Sequence, residues 1–67
     1  MKTYDYGKRK EVETPQEVII FLEEIEQVCR KHNLSISHED GQGRFIIEKF
    51  NERLMEILKD PGIDFGE

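Results

Sequence analysis

Sixty-seven residues, 36% hydrophobic and 37% charged, allow one thin core under a charged surface, since a chain this short buries only about 60% of what it exposes when unfolded. That length excludes a second domain, and a net charge of -5 argues against a general binder of phosphate backbones. Cys29 is the only cysteine, which excludes an intramolecular disulfide, a multi-cysteine zinc site and a C-x-x-C redox pair.

A lone thiol suits a reducing compartment. The longest apolar run, Val18-Ile19-Ile20-Phe21-Leu22, is far too short to span a bilayer, and no apolar stretch follows the basic residues near the start. The expectation is a cytoplasmic protein with neither a membrane nor nucleic acid as its partner. So short a chain gains core by self-association, which makes a homo-oligomer an expectation too.

Residues 1–13 read as a basic arm, with Lys2, Lys8, Arg9 and Lys10. This arm is either a solvated tail or an added edge strand through Thr3-Tyr4-Asp5-Tyr6. Residues 14–67 form the single domain. Thr14-Pro15-Gln16-Glu17 starts a helix, with Thr14 as cap, Pro15 at the first helical position and Glu17 able to close a capping box. Val18, Phe21, Leu22, Ile25, Val28 and Cys29 then recur at spacings of three and four, so a helix is predicted over 15–32 with that stripe inward. Asn33 suits a left-handed C-cap, and Arg30, Lys31 and His32 complement the helix dipole.

From Leu34 the period changes to two. Leu34, Ile36 and His38 share one face and Ser35 and Ser37 the other; after Glu39-Asp40-Gly41-Gln42-Gly43 a second strand runs Arg44-Phe45-Ile46-Ile47-Glu48. With Asp40-Gly41 as the two central residues of a type I′ turn, Ile36 lies opposite Phe45, Leu34 opposite Ile47 and His38 opposite Gly43. A loop that also used Gly43 would change these partners. Asn51 caps a second helix carrying Leu54, Met55, Ile57 and Leu58, which Asp60-Pro61-Gly62 stops. Ile63 and Phe65 are candidates to dock on the core. The fold class is therefore α+β, a single α-β-β-α domain whose hairpin packs against two helices that cover Leu34, Ile36, Phe45 and Ile47.

Polar chemistry is densest at the hairpin tip, where His38, Glu39, Asp40, Gly41, Gly43 and Arg44 are the candidate binding residues. Gly41-Gln42-Gly43 could offer backbone N–H groups to an anion, with Arg44 as charge partner and a small concavity beside His38 where Gly43 lacks a side chain. The run lacks the lysine and helix of a P-loop. Adjacent residues such as His38, Glu39 and Asp40 converge poorly on one metal ion. Ser37 and His38 point to opposite faces of a strand and make a poor nucleophile–base pair. Neither a catalytic residue nor a cofactor or metal is expected, and Cys29 reads as a buried small hydrophobe.

The segment from Val28 to Phe50, with Cys29 and Lys31 on a helix leading into Ser37-His38-Glu39-Asp40 and then Phe45-Ile46-Ile47-Glu48, resembles a family of small phage and prophage proteins of Gram-positive bacteria. Arg44 stands where that family has a smaller residue. The resemblance implies an accessory protein and defines no activity. It favours a protein that acts by binding, inhibiting a host factor such as a component of antiviral defence. The alternative partner is a small nucleotide, held by an oligomeric sponge between hairpin tips. A metal-dependent hydrolase built on His38, Glu39 and Asp40 ranks third.

Overall fold

The computed structural model describes residues 1–65 and orders them as β1 (Lys2–Asp5), β2 (Lys10–Glu13), α1 (Gln16–His32), β3 (Leu34–His38), β4 (Phe45–Lys49) and α2 (Glu52–Leu58). Two antiparallel hairpins, β1–β2 and β3–β4, are joined by two helices, a small α+β fold. The end of the C-terminal tail, Gly66-Glu67, lies outside the described residues.

The basic arm is a hairpin in which Thr3 faces Val12 and Tyr4 faces Glu11. Alternation sends Thr3 and Asp5 inward, both almost fully buried, and leaves Lys2 and Tyr4 outside. Asp5 builds the turn. Its Oδ1 accepts the N–H groups of Gly7 at 2.8 Å and Lys8 at 3.1 Å, an Asx-type turn, while Arg9 in the left-handed region donates to the Asp5 carbonyl at 2.7 Å. Ile63 adds to the other edge of β1, donating to Tyr4 O and accepting from Tyr6 N–H. It thereby joins Val18, Leu22 and Val12 in the core, as expected of Ile63, whereas Phe65 stays half exposed.

Helix α1 begins one residue later than predicted, with Pro15 as its N-cap and no side-chain cap bond. The Thr14 hydroxyl is committed elsewhere: it donates to Met1 O at 3.0 Å and meets Thr3 Oγ1 inside the first hairpin. At the other end Asn33 is left-handed, φ 57° and ψ 41°, and caps the helix as predicted. Only part of the stripe is covered, for Val18, Leu22 and Cys29 are buried while Phe21 and Val28 lie mostly in solvent.

The second hairpin departs from the predicted register by two residues. Ile36 faces Ile47, Leu34 faces Lys49 and His38 faces Phe45, so the pairing of His38 with Gly43 does not occur. The loop is longer than a two-residue turn. Glu39 N–H donates to Arg44 O at 2.8 Å, Gly43 N–H donates to Glu39 O at 3.1 Å, and the one positive φ in the loop, +74°, belongs to Gly43. The cause is the Glu39 carboxylate, which accepts the N–H groups of Gly41 at 2.6 Å and Gln42 at 2.7 Å and so organises a wider turn from within. Gly43→Val is therefore expected to cost about 1–2 kcal/mol through its left-handed backbone. Gly41→Val should cost less, since a side chain there meets only the movable end of Glu39. Urea melts of the two variants check the order.

Strand β3 rests on both helices, and its deepest residue is Ser35, 1% exposed. Its Oγ accepts Asn51 N–H at 2.8 Å. Asn51 in turn caps α2, its side chain accepting from Arg53 and Leu54 N–H, as predicted. Leu34, Phe45 and Ile47 are not covered by the helices, contrary to expectation: Phe45 is 76% and Ile47 61% exposed, and only Ile36 is partly buried. The reason is reach. Seven residues of helix span roughly 10 Å, and α2 uses them against β3, leaving β4 outermost.

A charged cluster ties the helices together on the opposite side. Arg30 bonds Glu26 on its own helix at 2.9 Å and Glu52 of α2 at 2.8 Å, Lys59 reaches Glu26 at 2.9 Å, and the guanidinium lies 4.9 Å from the Phe50 ring centre. Hydrogen bonds from Lys59 and then Arg30 hold the Glu26 carboxyl below the ordinary glutamate value of 4.5. A carboxyl lowered on folding stabilises the native state above its unfolded value, and that contribution is lost as pH falls through the folded one. The melting temperature should therefore fall below pH 4.5, and the slope should flatten in Glu26→Gln. Acid titration followed by circular dichroism tests this.

The result is a slab of 35 × 29 × 16 Å with a radius of gyration of 12.9 Å, against about 10.9 Å for a compact chain of this length. Its accessible surface is 5440 Å², roughly 1,000 Å² more than a monomer of its mass should show.

Candidate functional site

At the β3–β4 tip five of the six candidate residues divide into two groups, and Arg44 stands apart. Glu39, Gly41 and Gly43 serve the loop itself: the Glu39 carboxylate takes two N–H groups and its carbonyl a third. The donors that an anion would use are thus already occupied within the chain, Gly41 and Gln42 N–H by the Glu39 carboxylate and Gly43 N–H by the Glu39 carbonyl. His38 and Asp40 form the second group. The Nδ1 of His38 lies 3.3 Å from Asp40 Oδ1, and the imidazole meets the edge of Phe45 with ring centres 5.9 Å apart. The Arg44 guanidinium makes no ion pair or side-chain hydrogen bond among the described residues.

Ser37 donates to Glu48 Oε2 at 2.9 Å, and its hydroxyl is thereby turned to the face opposite His38. Cys29 is buried, as its stripe position implied. Among the described residues no group of three or more His, Cys, Asp or Glu could hold a metal ion, and no helix is long and apolar enough to cross a membrane.

The largest uncommitted chemistry is apolar. A groove of about 380 Å³ runs between the hairpin and α2, walled by Ile36, Phe45, Leu54, Ile57 and Leu58, with His38 and Asp40 also in its lining. It shares Leu58 and Pro61 with a second concavity of about 500 Å³ between α1 and the C-terminal segment, where Phe21, Ile25 and Phe65 stand beside Glu17. Asp40 is in the lining of the first concavity and Glu17 in that of the second. Exposed apolar area of this extent, bordered by charge, is the usual mark of an interaction surface.

Sequence reasoning named His38 and Asp40 and missed the groove. The signal was present in Leu54, Ile57, Leu58 and Pro61, at i, i+3, i+4 and i+7, which marks one face of a helix. Periodicity does not say whether that face is covered. No protein-family model, no curated protein and no solved structure matches the chain.

Proposed function

We propose that this chain is a phage-type accessory protein of the host cytoplasm that works by binding, without catalysis, and inhibits a host factor of antiviral defence by occupying it. The observation that supports this reading is the uncovered apolar groove, with Phe45 and Ile57 at its walls. Its occupant is an apolar, amphipathic segment of a host protein with basic flanks. Charge complementarity selects that chemistry: the chain carries -5 overall, and Asp40 and Glu17 are in the linings of the two concavities.

The test begins with capture from lysate of a Gram-positive host, followed by titration of the purified captured protein against variants. Ile57→Lys leaves the fold intact because Ile57 is 61% exposed. It should weaken binding at least about tenfold, whereas Glu24→Lys on the exposed side of α1 should leave it unchanged. Binding indifferent to Ile57→Lys, or abolished by Arg44→Ala alone, would count against the groove. For the nucleotide alternative, a saturating ligand at 100 times its dissociation constant would stabilise the fold by about 2.7 kcal/mol. A thermal-shift series with cyclic and linear nucleotides reads that directly.

A further inference from the structure

Strand β4 is an edge without protection. Exposed edge strands in native proteins are usually blunted by proline, a bulge or inward charge. Here the edge reads Phe45-Ile46-Ile47, paired without a bulge to β3 on one side only. Every residue from Phe45 to Lys49 is exposed.

The phase of the β3–β4 ladder fixes what the free edge offers. Glu39 N–H bonds Arg44 O and Phe50 N–H bonds Asn33 O, so Ser37–Ile46 and Ser35–Glu48 are the hydrogen-bonded pairs of the register. It follows that the N–H and C=O groups of Phe45, Ile47 and Lys49 point away from β3, toward the open edge.

We infer that β4 pairs antiparallel with β4 of a second copy about a two-fold axis at Ile46, joining the two hairpins into a four-stranded sheet. The run Arg44-Phe45-Ile46-Ile47-Glu48 is self-complementary about its centre. In this register Phe45 and Ile47 exchange hydrogen bonds with Ile47 and Phe45 of the partner subunit. Ile46 meets its own copy, and Arg44 lies opposite Glu48 of the partner subunit at both ends.

The outward groups allow only registers that differ by two residues. Moving the axis to Ile47 sets Ile46 against a glutamate and Phe45 against a lysine; moving it to Phe45 leaves Arg44 against an isoleucine. Only the axis at Ile46 sets Arg44 and Glu48 against each other and each apolar residue against an apolar one, the pairs that stabilise a sheet, and it leaves Lys49 beside a glycine. It also gives Arg44, otherwise without an ion pair among the described residues, a carboxylate. The pairing does not depend on what the groove holds.

Sedimentation equilibrium across a concentration series up to the millimolar range is the test, with circular dichroism to establish that each variant is folded. The native chain should reach twice its 8.0 kDa mass. Arg44→Glu opposes two carboxylates at each end and should raise the dimer dissociation constant about tenfold or more. The double variant Arg44→Glu/Glu48→Arg restores opposite charges and should return it to near the native value. Ile47→Pro removes an outward N–H that no bond within the chain uses, so it should leave a folded monomer. A native chain that stays monomeric throughout would overturn the inference. So would a dimer indifferent to both Arg44→Glu and Ile47→Pro, or a folded double variant that fails to regain affinity.

Discussion

Leu22→Ala is expected to unfold the protein or bring it to the edge of unfolding. Leu22 is 7% exposed and sits with Val18 and Ile63 in a core that has few other members. Emptying a buried leucine site costs about 2–5 kcal/mol, and a core of this size rarely supplies more than about 3–5 kcal/mol in all. Because Ile63 bridges to β1, the loss should release the C-terminal segment and the first hairpin together. A urea titration followed by circular dichroism reads the effect; a midpoint unchanged from the native chain would mean that the core lies elsewhere.

A comparable loss, about 2–5 kcal/mol, is expected for Met55→Ala. Met55 is 3% exposed, the most deeply buried apolar residue of α2, and lies beside the Glu26, Arg30 and Lys59 charges that join the helices. Two residues along the same helix, Ile57→Ala should shift stability by no more than about 0.5 kcal/mol, since Ile57 is already 61% exposed. This contrast separates the covered face of α2 from the open one. Equal losses at the two positions would mean that Ile57 is covered in solution and the groove is closed.

Where local chemistry decides, the sequence was a sound guide. Asn33 and Asn51 cap as read, Cys29 is buried and Ile63 docks. Where two local signals compete, it was not. Asp40-Gly41 is a strong turn dipeptide, yet the Glu39 carboxylate bonds the next N–H groups and moves the left-handed position to Gly43. The two-residue shift in register follows from that one side chain. Thr14 likewise gave up its helix cap to bond Met1 O.

Burial was the harder quantity, because alternation and helical spacing report which residues share a face but not what lies against it. Phe45, Ile47, Phe21 and Val28 all carry an inward pattern and all are exposed. The tip residues His38 and Asp40 were legible as a cluster, but the groove they border needed the relative placement of the hairpin and α2. Asp5, in an arm that reads as either a solvated tail or an edge strand, is nearly fully buried at the end of β1, where its carboxylate builds the turn.

The claim that the apolar surface between the hairpin and α2 is where this protein meets its host is tested most directly by photo-crosslinking in host cells. A benzoyl-phenylalanine placed at position 57, and in a separate variant at position 24, is irradiated and the adducts are identified by mass spectrometry. The account predicts peptides of one host protein joined at position 57, drawn from an apolar segment with basic flanks, and none at position 24. A host protein captured at position 24 with nothing at position 57 would contradict it.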